Sequence, residues 1–365
     1  MKKLIEEALG CLDSGKLRKK RITLGFDGCA DIICKVIKNN DNETANYIET
    51  ITEFGQYITK MDRLSFSLEL DEKFSKVGGN GAIFANAIST CGVETHAIGL
   101  YGKERIDEVF DELKRKCKLY SYHKNALAIS LEFNDGKIIL SPKVNMLGDV
   151  WKKVVAAVGD ENLSYVFSET DMLGLVNWGE LGYASLLWKC VYDFICVTQD
   201  MSRQIIVDLS DCRRRTEEDI RGIMDLLGKF SKIRYITLSL NETEALELGR
   251  HFGLLEGNDY DKLCRKLAAK INVQRLVIHC RRYCYTCENG EIYKLLTQLN
   301  NSPKLLTGGG DNFNAGYAIG SLLGLRGEVC NVYGNAMSSF YIMHGKSPDI
   351  GDMSKHLEKW HLELS

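Results

Sequence analysis

The residues best suited to chemistry in this chain are Thr307-Gly308-Gly309-Gly310-Asp311, followed by Asn312-Phe313-Asn314-Ala315-Gly316. Three successive glycines let the backbone turn tightly and meet a ligand with no Cβ in the way. Ala315, Ala318, Ile319, Leu322 and Leu323 then recur at helical spacing. A glycine turn that opens a helix aims unpaired N–H groups and the positive end of the helix dipole at one point, which makes an anion site. A carboxylate there repels a bound phosphate unless it has a task. The task that fits Asp311 is general base. It takes the proton of a hydroxyl attacking phosphorus, while the amides of Gly308, Gly309 and Gly310 hold the developing charge. An ordinary glycine turn capped by Asp is the competing reading of this segment taken alone.

Two further constellations follow strands. Asn241-Glu242-Thr243-Glu244 begins a helix after Ile236–Leu240. Asn241 is a natural N-cap and acids suit a first turn, which accounts for the segment without chemistry. The functional reading has Asn241 and Glu244, three apart on one face, hold a hydrated Mg²⁺ and the donor phosphates. Val77-Gly78-Gly79-Asn80-Gly81 enters a helix rich in small residues. Gly78 and Gly79 let a sugar lie against backbone, and Asn80 offers it both donor and acceptor. Asp27 and Asp31, beyond the first strand, are candidate acceptors for two more hydroxyls; a cap or a solvated loop explains Asp27 equally well. Arg213-Arg214-Arg215 reads as a phosphate contact or a solvated face, and His279 on its own reads as structural.

The elements that must position these residues alternate. Strands at 21–26, 95–100, 173–177, 204–209, 235–240 and 275–280 are interleaved with helical patterns, among them 183–196, 220–227 and 242–249. This alternation implies a mostly parallel sheet covered by helices on both faces, with ligands beyond the carboxyl ends of its strands. Residues 31–36 read as a strand, 39–74 as polar with helical stretches, and 106–116 as a helix. Asn134-Asp135-Gly136 is the strongest hairpin signal, joining 126–133 to 137–140, and Asn289-Gly290 is a second one.

With 365 residues the chain has room for one large α/β domain or two smaller ones. A net charge of −2 gives no general attraction to nucleic acid or anionic membrane. No apolar run is long enough to cross a bilayer, and acids directly after the first lysines argue against a signal peptide. Thirteen cysteines without repeated spacing fit reduced thiols and a cytoplasmic setting. Only Cys284 and Cys287 have zinc-knuckle spacing, and buried small hydrophobes explain them better. Gly345-Lys346-Ser347 lacks the upstream glycine of a P-loop, since Phe340 stands there, and no G-x-G-x-x-G follows a strand.

Two glycine turns, an Asn-x-x-Glu and a terminal Gly-x-Gly-Asp, in this order from Gly25 to about Pro348, resemble the PfkB (ribokinase-like) carbohydrate kinases. Gly308-Gly309-Gly310-Asp311-x-Phe313-x-Ala315-Gly316 is the most specific part. The resemblance implies a single ribokinase-like domain over 1–365, a three-layer α/β/α sandwich with a mainly parallel central sheet. It also implies a small β-lid, built from segments near 27–40 and, as a second candidate, 118–140. By the same resemblance Asp311 is the catalytic base and Gly308, Gly309 and Gly310 the anion hole. Asp31, Gly79 and Asn80 face the sugar, with Asp27 and Gly78 added from the reading of the residues themselves, and Asn241, Thr307, His279 and Asn335 are the expected nucleotide-side residues. Asn241 and Glu244 serve Mg²⁺, ATP is the co-substrate, and an exposed lid edge invites a homodimer.

The chain departs from the family pattern at three places. Leu305-Leu306 stands where Asp-Thr is usual, which removes an acid often found at a monovalent-cation site. Ile83 stands where an Asn is usual, with Asn86 one turn later, and His279-Cys280-Arg281 replaces a nucleotide-side Thr-x-Gly. The expected activity is transfer of the γ-phosphoryl group of ATP to a hydroxyl of a small carbohydrate. A nucleoside kinase, an ADP-dependent sugar kinase of the same superfamily and a non-catalytic sugar- or nucleotide-binding regulator stay open beside it.

Overall fold

The apolar runs of the sequence become strands of one large sheet, and the hairpin segments gather in a second. The computed structural model describes every residue except 42, 43, 143, 145, 147, 258, 299–302, 306 and 365. In chain order the strands are β1 (Arg21–Gly25), β2 (Cys29–Asp41), β3 (Thr44–Tyr47), β4 (Leu70–Gly78), β5 (Glu94–Gly99), β6 (Lys118–Ser121), β7 (Ala126–Phe133), β8 (Gly136–Leu140), β9 (Met172–Leu175), β10 (Gln204–Asp208), β11 (Tyr235–Asn241), β12 (Arg275–His279), β13 (Tyr283–Glu288) and β14 (Glu291–Leu296). The large sheet runs β14-β13-β12-β11-β10-β9-β1-β5-β6. It is parallel from β12 through to β6, and β13 and β14 are antiparallel additions at one edge.

Strand alternation sends successive side chains to opposite faces, so each face builds its own core. Leu173, Leu175, Ile205, Val207, Leu276 and Ile278 pack on one side with the helices Val150–Val158, Ala184–Ile195, Glu217–Phe230, Glu242–His251 and Tyr260–Ile271. Met172, Ile206 and Val277 pack on the other with Lys2–Cys11, Asn80–Thr90, Gly309–Leu322, Gly327–His344 and Ile350–Glu363. The result is a three-layer α/β/α sandwich with a mainly parallel centre.

The second sheet has five strands. β3, β2, β7 and β8 lie in that order, and β4 pairs with β2. The 126–140 part of the expected 118–140 segment is here, as β7 and β8. Residues 118–121 instead pair with β5 at the edge of the large sheet. The stretch from 39 to 74, expected to be polar with helical stretches, holds the Ile51–Lys60 helix but also β3 and the start of β4. β4 is mostly exposed, so it carries no hydrophobic alternation that could reveal it. The expected 106–116 helix is a 3₁₀ turn at Glu108–Phe110 followed by a short α-helix, Asp111–Lys116.

Candidate active site

Every polar group singled out on the large sheet lies at or just beyond the carboxyl end of a strand. Asp27 follows β1. Its Oδ1 accepts from the Gly81 amide at 2.7 Å and its Oδ2 from Asn177 Nδ2 at 2.6 Å, and the Asn80 amide donates to it as well. Asp27 is therefore an anion seated on the N-terminus of the Asn80–Thr90 helix, where the dipole favours it. Gly79 precedes that helix at φ 89°, and a Cβ on Gly81 would lie 2.5 Å from Asp27 Oδ1, so the turn needs its glycines to admit the carboxylate. Burial pushes the Asp27 carboxyl up to about 6, against the lowering effect of Asn177, Gly81 and Asn80.

Asp31, on β2, takes a hydrogen bond from Cys29 Sγ at 3.3 Å and packs against Gly78, which leaves no room for a side chain there. Asp27, Gly79 and Asn177 line a cavity of about 930 Å³ between the sheets, with Ala126, Leu127 and Ala128 of β7 on another wall. Glu180, Tyr183, Arg214 and Arg215 are also in its lining. Of the three consecutive arginines, Arg213 is held by Asp211 at 2.7 Å and Arg214 lies 4.0 Å from Glu180. Arg215 stacks over Trp178 with its Nε buried and unpartnered. The run therefore divides between the surface and the cavity.

Asp311 lies in the first turn of the Gly309–Leu322 helix and is 7 % exposed. No side chain caps that turn, and Gly308 enters it at φ 94°. Burial, then the nearby carboxylates of Asp208 and Asp27, hold the Asp311 carboxyl well above the ordinary carboxylate range, and a hydrogen bond with the Asn80 side chain pulls the other way. Asn80 thus touches both carboxylates, its backbone N–H at Asp27 and its side chain at Asp311.

Asn241 and Glu244 form a reciprocal cap. Glu244 N donates to Asn241 Oδ1 at 3.0 Å, and Asn241 N donates to Glu244 Oε2 at 2.9 Å. The cap does not neutralise Glu244. Burial first, then Asp208, Asp211 and Asp311, raise its proton affinity well above normal. Asn241 and Glu244 line a cleft of about 200 Å³ with Asp211, Arg213 and Glu247. Among the described residues no three His, Cys, Asp or Glu side chains converge as a metal cage. Mg²⁺ keeps several waters and needs few protein ligands, and the crowding of Asp208, Glu244 and Asp311 is of the kind a hydrated cation relieves, so the oxygen-only donor set fits it.

The remaining expected residues divide. His279 stacks on Phe313 at 4.7 Å, with its Cε1 3.5 Å from where a Gly310 side chain would begin. Burial lowers its pKa to about 4, and its Nε2 is buried without a partner. A neutral ring beside the glycine turn is therefore at the site, where its own segment reads as structural. Thr307 receives Tyr341 OH on its carbonyl at 2.9 Å, and its hydroxyl meets Lys137 Nζ from β8. Asn335 is buried elsewhere, donating to Cys284 Sγ at 2.9 Å and to the Asn331 carbonyl at 2.8 Å, away from the cavity and cleft linings.

Three groups escaped the sequence reading. Asn177 follows β9 at φ 60°, with its Oδ1 buried and unpartnered. Asp208 ends β10 and takes hydrogen bonds from Ser210 N at 2.9 Å and Asn314 Nδ2 at 2.6 Å. Lys137 follows the β7–β8 turn. The first two carried a usable signal, a polar residue at the carboxyl end of an apolar strand.

The family described as prokaryotic ketohexokinase matches residues 11–360. A ketohexokinase of Haloferax volcanii is 21 % identical over 344 residues, covering 91 % of this chain and 89 % of that protein. Among solved structures, the adenosine kinase of Sinorhizobium meliloti superposes with TM-score 0.66 at 15 % identity, covering 93 % of this chain and 99 % of its own. Arabidopsis thaliana ribokinase, complexed with ribose and ATP, gives 0.62 at 16 % identity, covering 93 % and 98 %. At these identities the superpositions bear on the fold alone. The match over 11–360 places the protein by family: the chain belongs to the prokaryotic ketohexokinases, carbohydrate kinases of the ribokinase fold.

Proposed function

We propose that this protein transfers the γ-phosphoryl group of ATP to a hydroxyl of a ketohexose. The observation that carries the reading is Asp311 at the uncapped, glycine-lined start of a helix, joined through Asn80 to the carboxylate at the wall of the large cavity. The sugar lies in that cavity, with Asp27 and Asp31 accepting from its hydroxyls, the Gly78-Gly79 turn against its ring and Asn80 beside it. Asp311 accepts the proton of the attacking hydroxyl. The amides of Gly308, Gly309 and Gly310 take the charge that gathers on the transferred group. The donor phosphates extend toward Asn241, Thr307 and His279. A hydrated Mg²⁺, held at Glu244 and Asn241, supplies charge neutralisation to them when bound.

The ketohexose assignment rests on the family match and on the named activity of the Haloferax volcanii relative. The test is a panel of ketohexoses, aldohexoses, ribose and adenosine, each with ATP or ADP and Mg²⁺, scored for phosphorylated product. ATP-dependent product from a ketohexose is expected. Product from adenosine alone, or from ADP alone as donor, overturns the reading.

A further inference from the structure

Lys137 stands two residues after Asp135 at the turn of the β7–β8 hairpin, opposite Glu132. The side chain does not stay in its own sheet. Its ammonium meets the hydroxyl of Thr307, 170 positions along the chain, immediately before the glycine turn. Thr307 is fixed from behind, because Tyr341 OH holds its carbonyl at 2.9 Å. Gly308 follows and opens the uncapped helix. A cation is thus posted at the mouth of the amide cradle by an element that belongs to the other sheet.

Its surroundings are those of a group waiting for an anion. The hydrogen-bond partner of Lys137 is a neutral hydroxyl, and among the described residues it forms no ion pair with a carboxylate. The charged groups around it are Lys76 of β4, Asp31 of β2 and Glu132 of β7. Burial and Lys76 lower its proton affinity, while Asp31 and Glu132 raise it. A neutral hydroxyl offers no charge to the Lys137 ammonium, and a phosphoryl group with its oxygen charges does.

We propose that Lys137 is a catalytic cation delivered by the second sheet, its ammonium binding the phosphoryl group in transfer. The proposal deepens the kinase reading and rests on it. In the step, a bond forms between the sugar oxygen and the γ-phosphorus as the bond to the β–γ bridging oxygen breaks. ADP leaves with that electron pair, the hydroxyl proton goes to Asp311, and Lys137 neither gains nor loses a proton. Its positive charge lies beside the equatorial oxygens, over which a loose transition state spreads its negative charge. Because β8 carries the lysine, charge stabilisation is complete only when the second sheet lies over the glycine turn.

The experiment uses the full chain with Mg–ATP and a sugar accepted by the unaltered protein, comparing K137M and K137R. Lys137 is exposed on the hairpin, so K137M is expected to fold, which a melting curve checks. For K137M, kcat is expected to fall about 10³-fold, the lower end of what a charge-stabilising cation contributes to phosphoryl transfer, with the sugar KM changing by about threefold at most. K137R is expected to recover at least about tenfold of that loss, since it restores the charge. Affinity for ADP with aluminium fluoride, a mimic of the group in flight, is expected to fall roughly tenfold more than affinity for ADP alone. A K137M kcat within threefold of the unaltered protein overturns the proposal, as does an equal loss of both affinities, which reduces Lys137 to a tether. If the unaltered chain phosphorylates nothing, the functional reading itself fails. An active chain with an unimpaired K137M sinks only the role of Lys137.

Discussion

Asp311 and Asp27 are both acids that hold their protons more tightly than a free carboxyl, and each has a different consequence. In the proposed role of general base, a group that binds its proton firmly is stronger once empty, so burial would make Asp311 more effective at the cost of needing higher pH. Asp311→Asn is expected to lower kcat by roughly 10²–10⁴ while sugar and nucleotide KM stay close to normal. Steady-state kinetics check this, and near-normal turnover by the variant ends the assignment. For Asp27 the sign is explicit. Its ordinary value is 3.8 and its folded value about 6, so the folded chain binds this proton more strongly. Its contribution to stability is whole below 3.8 and is lost as pH rises through about 6. Its proposed role as a hydroxyl acceptor runs the opposite way, since accepting from a hydroxyl favours the ionised form. Sugar KM is therefore expected to rise as pH falls through about 6, with the nucleotide KM unchanged, and Asp27→Asn is expected to remove that dependence. A flat sugar KM from pH 5 to 8 in the unaltered protein would falsify it.

At the scale of elements, the start of the Glu242–His251 helix shows how one local motif serves two ends. Asn241 and Glu244 are a capping box, and the same Glu244 faces Asp208 and Asp311 across the site. Substitution separates the roles. Asn241→Ala is expected to cost about 1 kcal/mol of stability through the lost cap, and Asn241→Ser to restore most of it, because serine caps nearly as well. Serine has no amide to offer, so Asn241→Ser is still expected to need more Mg²⁺ for half-maximal rate. A serine variant with unchanged Mg²⁺ dependence leaves Asn241 as a cap only, and urea unfolding beside a magnesium titration reads both. The glycine turn depends on elements in the same way. Gly308 and Asp311 belong to one helix, but their neighbours Asn80, His279, Tyr341 and Lys137 come from a second helix, β12, a third helix and β8.

At the scale of the whole molecule, the helix that carries Asp311 is anchored at its far end by a buried ion pair. Arg275 Nε and Glu288 Oε1 are 2.6 Å apart, at the amino end of β12 and the end of β13. Arg275 also donates to Ser321 Oγ at 3.0 Å, in the last turn of the Gly309–Leu322 helix, and to the Leu325 carbonyl at 2.8 Å. Glu288 accepts from the Gly327 amide at 2.8 Å and from Tyr235 OH at 2.7 Å. Three strands and two helices therefore meet on one pair of charges, which ties the helix to the sheet from below. Removing one partner leaves the other charged and buried, so Arg275→Met is expected to cost about 3–5 kcal/mol. Denaturant unfolding measures it. Replacing both, as Arg275→Met with Glu288→Met, is expected to recover part of that loss.

Sequence by itself determined most of the elements and nominated the candidate reacting groups. Its periodicities located the parallel strands other than β6, and Asn134-Asp135-Gly136 and Asn289-Gly290 located two hairpins, because these signals are local and each residue carries its own propensity. Glycine type and spacing marked the two turns, since few other residues adopt φ values such as 89° at Gly79 and 94° at Gly308. What it left undecided is non-local. β4 is mostly exposed and exists because β2 offers it a partner, so no alternation announced it. The 118–121 segment joined the large sheet rather than the hairpin's, a choice made by the free edge of β5. Only the tertiary structure set Asn80 between Asp27 and Asp311, put Asp208 beside Glu244, and carried Lys137 across to Thr307. Proton affinities and charge compensation depend on distances between residues far apart in the chain, and a sequence does not hold those distances.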